Sequence, residues 1–302
     1  MSHDPRQSSD EGAPQRGPYM LEPIASKHID ESRRMILRAA EAVPPGEVIV
    51  LGAGACDEIP LAELVARFRH VTLNDVERER LERALAAARC DAKSREEVDL
   101  RIADLTALTE PLVERIEESL SSCDDPVAAI EHMVTIVAEA TSGSLPGASL
   151  GGKHDLVVAS CVLSQLHFGL THRAGDLFER RFPGKRDSLG GAAPWTTALY
   201  QLARRMEARF IDDLVALMAD GGLVYLSESV QMCYVELTPA GTWRTEGTYR
   251  MLRSADLRDY VDRRLTIVER ARWEWVVSPP TAVGQTGRLY DVQAIMLRAA
   301  GI

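Results

Sequence analysis

Apolar positions along the chain change period several times, and each change marks a passage between strand and helix. Residues 47–51 read Glu-Val-Ile-Val-Leu, a short β-forming run that stops at Gly52 and Gly54. An amphipathic pattern follows at Ile59, Leu61, Leu64, Val65 and Phe68, which predicts strand, glycine turn and helix in that order. Residues 68–75 predict a second strand with Val71 and Leu73 inward, and 77–89 a helix that aligns Leu81, Ala84, Leu85 and Ala88. A third strand alternates over 98–103 and ends at Asp104. Helices are predicted over 111–120 and 126–140, followed by a Gly/Ser-rich loop at 141–153. Residues 155–159 are a fourth, apolar strand of the kind buried on both faces of a parallel sheet.

Downstream the pattern is less regular. Residues 168–193 read as a polar, irregular flap, 195–220 as a helix closed by Gly221 and Gly222, and 223–226 as a fifth strand. The segment 230–249 mixes β-formers with Pro, Gly and Trp and takes no assignment. A helix is expected over 254–261, and 265–277 with 288–297 resemble two closing strands. Ahead of the first strand, 19–43 suits one or two helices ending before Pro44, while 1–18 has the composition of a disordered tail.

Composition narrows the class. A chain of 302 residues that is 45% hydrophobic can bury the core of one large α/β domain. Five scattered cysteines, Cys56, Cys90, Cys123, Cys161 and Cys233, indicate neither a disulfide framework nor a zinc ribbon, so a reducing, cytoplasmic location is expected. A formal net charge of −10 argues against a surface built for nucleic acid. No apolar stretch is long enough for a bilayer, and the first residues lack a basic patch followed by an apolar run; neither membrane insertion nor export is expected.

Candidate chemistry gathers at strand ends. A glycine turn lets backbone approach a ligand closely, and open α/β sheets bind ligands beyond the carboxyl ends of their strands. Asp75 and Asp104 close strands two and three, where a carboxylate accepts hydrogen bonds from vicinal hydroxyls or an amine. Each also reads as a cap, Asp75 for the helix after Val76 and Asp104 for a turn before Thr106.

Taken in order, Gly52-Ala53-Gly54, Asp75, Asp104, the apolar fourth strand and the final strand pair resemble a class I S-adenosylmethionine-dependent methyltransferase. The resemblance implies an α/β fold: a doubly wound, mostly parallel seven-stranded sheet with an antiparallel closing strand. The catalytic domain would span 46–302 with insertions near 107–153 and 168–193, behind a helical cover at 19–45. It implies S-adenosylmethionine as cofactor. Gly52, Ala53 and Gly54 would pass its amino-acid part, Asp75 would hold its ribose hydroxyls and Asp104 meet its adenine amine, with Val76, Leu105, Ser160 and Cys161 as further cofactor contacts.

Two positions depart from the family. Val50 stands where an acidic residue is usual, and Cys56 replaces a frequent third glycine. Asp57 or Glu58 is a candidate substitute for the missing charge, or a complement to a helix dipole. Residues 160–167, Ser-Cys-Val-Leu-Ser-Gln-Leu-His, lack the Pro-Pro-Tyr/Phe tetrapeptide of base and glutamine methyltransferases and faintly resemble the small-molecule amine N-methyltransferases.

The expectation is therefore methyl transfer to O or N of a small-molecule acceptor by in-line displacement, which demands alignment and, for a hydroxyl, a base. His167 is the candidate base, and Tyr19, His28, Gln165, Glu228 and Trp243 are candidate acceptor contacts. No metal-ligand spacing is evident, and no metal is expected. A nicotinamide-dependent Rossmann oxidoreductase is the competing enzyme class, although Asp57 occupies the last glycine position of its fingerprint. A non-catalytic S-adenosylmethionine-binding protein is the third reading.

Overall fold

The computed structural model describes residues 24–88, 96–140, 150, 152–252, 254, 256–261 and 264–300. The expected tail at 1–18, Tyr19, Cys90 and most of the loop at 141–153 lie outside them.

Among the described residues, eight strands form one sheet: β1 (Glu47–Leu51), β2 (His70–Asp75), β3 (Val98–Ile102), β4 (His154–Ser160), β5 (Met218–Leu237), β6 (Trp243–Arg250), β7 (Leu265–Ser278) and β8 (Thr286–Ala299). Their order is β3-β2-β1-β4-β5-β8-β7, with β6 pairing β5 off this path. The first five run parallel. β8 is antiparallel to both of its neighbours. The seven-strand path, with β8 antiparallel near its end, is the doubly wound sheet that the sequence led us to expect; β6, antiparallel to β5, is an eighth strand beyond that expectation. β1 lies between β2 and β4, so the crossovers leave it in opposite directions and a crevice opens beyond its carboxyl end.

Alternation along the strands sorts their side chains onto two faces. One face carries Val48, Val50, Val71, Leu73, Leu156, Val158 and Tyr225. It is covered by α1 (Ile24–Glu41), α2 (Leu61–Arg67) and α3 (Arg78–Ala87), which contribute Met35, Ile36, Leu64 and Leu81, all fully buried. The opposite face, with Ile49, Leu51, Val157, Ala159, Val224 and Leu226, packs under α4 (Thr109–Ser121), α5 (Pro126–Glu139), α6 (Phe168–Arg181) and α8 (Ala193–Leu217). α7 (Arg186–Gly190) adds Leu189 to the same cluster. Each large aliphatic buried in this way contributes about 1.5–3 kcal/mol, so both helical layers are integral to stability.

Several expectations are corrected. Residues 168–193 are not an irregular flap but the helices α6 and α7, with Leu170, Ala174, Leu177 and Phe178 buried along one side. Charged residues between these positions hid the helical period. The unassigned segment 230–249 is the outer half of β5 and its hairpin partner β6, paired Gln231 to Arg250 through Leu237 to Trp243. The helix expected over 254–261 is only a 3-10 turn, Leu257–Tyr260. Asp256 starts it by accepting from Arg258 N at 2.9 Å, and Tyr260 anchors it by donating to Glu207 Oε2 at 2.8 Å.

Candidate cofactor site

The loop after β1 is held open by backbone geometry. Gly52 has φ +61°, and a Cβ there would lie 2.7 Å from Val162 Cγ2, so only glycine fits without displacement. Gly54 has φ +54° with open space around its Cα. Ala53 N–H donates to Asn74 O at 2.8 Å, which ties the loop to β2. The helix does not follow directly. Turns closed by Cys56 N to Ala53 O and Ile59 N to Cys56 O intervene, and α2 starts only at Leu61. Its amino terminus therefore does not open from the glycine turn, as the sequence pattern had suggested and as a dinucleotide pyrophosphate site requires.

At the end of β2, Asp75 Oδ2 accepts the Gly54 N–H at 2.9 Å and Oδ1 accepts the Glu77 N–H at 3.0 Å. A carboxylate has about four acceptor sites, so each oxygen keeps one lone pair for a ligand. Asp104 differs. Its oxygens accept from Thr106 N at 2.8 Å, Thr109 N at 3.1 Å and the Thr106 hydroxyl at 2.8 and 2.9 Å. Its acceptor capacity is largely consumed by the turn after β3, the capping role noted above.

These strand ends line a cavity of about 380 Å3, within the usual range of small-ligand pockets. Of the expected cofactor residues, Gly52, Asp75, Val76, Asp104, Leu105 and Cys161 line it, as does Gln165. Sequence reading missed Asn74, Arg80, Thr109, Glu110 and Arg173. Asn74, fully buried beside Asp75, donates to Arg101 O at 3.2 Å and Ala103 O at 3.0 Å, closing β2 onto the end of β3. Its position next to an acid at a strand end was the available signal. Arg80 pairs with Glu77 at 2.8 Å, and Arg173 on α6 pairs with Glu110 on α4, all four among the lining residues. No local pattern announces that second pair, because its members lie 63 residues apart.

Cys161 follows β4 with φ +54°, a left-handed conformation that is uncommon outside glycine. Its N–H donates to Ser227 O at 2.9 Å, which fixes the turn against β5. Ser160 Oγ lies 3.0 Å from Ser227 Oγ, behind the wall. Glu58, half-buried in the loop after Gly54, has its carboxyl raised by burial, an effect opposed by a hydrogen bond from Ser160.

The expected acceptor contacts separate. Of the four that are among the described residues, Gln165 alone lines the cavity. Glu228 is completely buried, with Oε2 accepting from Ser164 N at 2.9 Å and Oε1 from Ser164 Oγ at 2.7 Å and Ser229 N at 2.8 Å. It is occupied in holding the turn after β4, so it is not an exposed strand-end acid. Burial pushes its carboxyl up to about 7. Trp243 packs with Cys233, Val235, Val276 and Leu289 in a small separate core under the outer hairpin, because β6 pairs only the outer half of β5. His167 caps α6 with its ring edge-on to Phe168 at 4.9 Å; it is absent from the cavity wall, and burial lowers its pKa.

His28, on α1, is buried between two tryptophans of β7. Its Nδ1 accepts from Trp273 Nε1 at 3.0 Å, and its ring stacks on Trp275 at 4.1 Å. Burial lowers its pKa to about 4, so the neutral ring carries its proton on Nε2. One ring nitrogen, a Glu58 oxygen and Cys161 Sγ lie within 4.8 Å of one another. This trio does not suit a metal ion. The Trp273 bond takes one imidazole lone pair and protonates the other nitrogen, while burial holds the Cys161 thiol well above its usual range.

No protein-family model matches the chain, and no curated protein matches it in sequence. Solved structures do match in layout. The glycopeptide N-methyltransferase MtfA, complexed with S-adenosylmethionine, is 13% identical over 90% of this chain and 87% of its own, with a TM-score of 0.42. A SAM-dependent methyltransferase of Leishmania major is 12% identical over 92% and 74%, with a TM-score of 0.40. TrmN from Thermus thermophilus is 14% identical over 91% and 53%, with a TM-score of 0.39.

Proposed function

We propose that this chain is an S-adenosylmethionine-dependent methyltransferase acting on a small-molecule acceptor. The observation that carries the reading is Asp75: a strand-end carboxylate bound to the glycine loop, with one lone pair left on each oxygen, in a cavity of about 380 Å3. Two vicinal hydroxyls suit those lone pairs. Gly54 has open space where a side chain would stand, which leaves its backbone approachable, Gly52 lines the cavity, and Val76 with Leu105 offers apolar surface for a planar base. When bound, the cofactor supplies an electrophilic methyl group; the chain's part is to hold, align and exclude water.

Several features favour this reading over its rivals. The late start of α2 disfavours a nicotinamide dinucleotide, since no helix amino terminus opens from the glycine turn. A small acceptor is supported by the lack of a Pro-Pro-Tyr/Phe segment after β4 and by the small-ligand size of the cavity, about 380 Å3. No base is assigned to His167, whose ring stands outside the cavity wall.

The test is direct. Calorimetry with S-adenosylmethionine, S-adenosylhomocysteine, NAD and NADP should give binding for the first two alone. Labelled-methyl transfer into fractionated cell extract should then place label in the small-molecule fraction. Binding of NAD alone, or label found only in RNA or protein, would overturn the reading.

A further inference from the structure

A second cavity, of about 370 Å3, lies on the sheet over β7 and β8 and shares no lining residue with the first. Its floor follows from the register of the two strands, in which Arg270 pairs with Ile295, Ala271 with Ala294 and Arg272 with Gln293. Side chains alternate, so Ala271 and Ala294 turn to the α1 side and pack there, leaving backbone at the middle of the floor. Arg270, Arg272, Gln293 and Ile295 surround it on the opposite face. Asp256 and Arg258, from the segment of the 3-10 turn, add a wall. That wall is pinned, because the Leu257 N–H donates to Gln293 Oε1 at 3.0 Å and both residues are buried.

Three guanidinium groups therefore share one recess with a single lining carboxylate. Two of them are engaged along one edge only. Arg258 donates through Nε and Nη2 to Asp256 Oδ2, and Arg272 donates through Nε at 2.8 Å and Nη2 at 2.6 Å to Asp291. A guanidinium has five N–H donors, so both arginines keep their Nη1 groups for another acceptor. Arg270 makes no hydrogen bond or ion pair among the described residues. Its charge nevertheless reaches the wall: the Asp256 carboxyl is held below its usual range by the hydrogen bond from Arg258 and, more weakly, by Arg270. The nearby acids Asp256, Asp291 and Glu274 act on Arg272, and none of them pairs with Arg270.

We propose that this recess binds the oxyanion of a small acidic molecule, a phosphoryl or carboxylate group, with Arg270 as its principal contact and the Nη1 groups of Arg258 and Arg272 as further donors. The planar guanidinium fork matches both kinds of oxyanion. The volume has room for more than a bare ion, and buried Gln293 and Ile295 offer surface to the rest of the molecule. The site stands apart from the cofactor cavity and does not rest on the methyltransferase reading.

Inorganic phosphate and citrate are the probes, titrated by calorimetry at constant ionic strength into wild type, Arg270→Gln, Arg270→Lys and Arg80→Gln. Wild type should bind at least one of them, phosphate alone indicating a phosphoryl ligand and citrate alone a carboxylate. Arg270→Gln should weaken that binding by about tenfold or more, because hydrogen bonds from a charged donor are lost. Arg270→Lys keeps the charge without the fork and should fall between. Arg270 is exposed, so its replacement leaves the core intact. Arg80→Gln, which alters the first cavity, should change nothing. Equal affinity in Arg270→Gln and wild type overturns the proposal. So does a loss that follows Arg80→Gln instead, or a wild type that binds neither probe at millimolar concentration.

Discussion

Asp75 Oδ2 accepts the backbone N–H of Gly54 at 2.9 Å, so the carboxylate that ends β2 also sets the conformation of the loop that ends β1. Both halves of the candidate site depend on one side chain. Asp75→Ala should weaken S-adenosylmethionine binding by more than tenfold, because charge-assisted hydrogen bonds contribute roughly 1.5–3 kcal/mol each. Asp75→Asn, which keeps an acceptor for Gly54, should fall between. Calorimetry showing equal affinity for all three folded proteins would remove Asp75 from the site.

Gly52 is constrained twice, by φ +61° and by Val162 Cγ2, which would stand 2.7 Å from the methyl carbon of an alanine at this position. Gly52→Ala should destabilise the protein by about 1–3 kcal/mol through backbone strain, with the steric clash added to it. Adding Val162→Ala should recover the steric part and leave the backbone part. Denaturant titration of the single and double variants separates the two.

The buried groups predict opposing pH dependences. Glu228, raised to about 7 from 4.5, keeps its proton in the folded state over a range in which the unfolded chain releases it. Its contribution to stability is fully present below pH 4.5 and lost as pH rises through 7. His28, lowered to about 4 from 6.5, contributes stability above pH 6.5 that is lost as pH falls toward 4. The slopes oppose each other between 4.5 and 6.5. In Glu228→Gln the glutamate slope is removed, so the variant should gain on wild type as pH rises from about 5 to 7, by at most about 1.4 kcal/mol per pH unit. Urea unfolding across that range checks it; a difference independent of pH means that Glu228 does not titrate there.

α1 belongs to the core as well as to the expected cover. Met35, Ile36 and Ala39 are fully buried against the sheet. Ile36→Ala should cost about 2–5 kcal/mol, and a chain beginning at Pro45 should fail to give a cooperative unfolding transition. A chain so shortened that melted like the full protein would make α1 dispensable.

What the sequence made legible was whatever local periodicity or a strand end could carry. β1 to β4, both helices of the long crossover and the positions of Gly52, Asp75 and Asp104 depend on patterns of a few neighbouring residues. The outer half of β5 did not show, because its partners β6 and β8 satisfy a segment that reads ambiguously alone. Asp104 was found at the right place, yet its engagement by Thr106 and Thr109 emerges only from the folded turn. Glu228 and His28 were noticed as chemistry but not as buried groups. Their surroundings, Ser164 for one and Trp273 with Trp275 for the other, are distant in sequence, Ser164 by 64 residues and Trp273 by 245.

The position of β8 governs the order in which this sheet is completed. β8 follows β7 in the chain but lies between β5 and β7, so β7 has no strand to pair with until β8 has been made. On a ribosome, the face of α1 that later meets Trp273 and Trp275 would wait for both. The inner edge of β5 stays unpaired for the same interval, a period in which exposed strand edges invite misassociation. Closure of the sheet thus waits for β8, and His28 meets Trp273 and Trp275 only after β7 has been made.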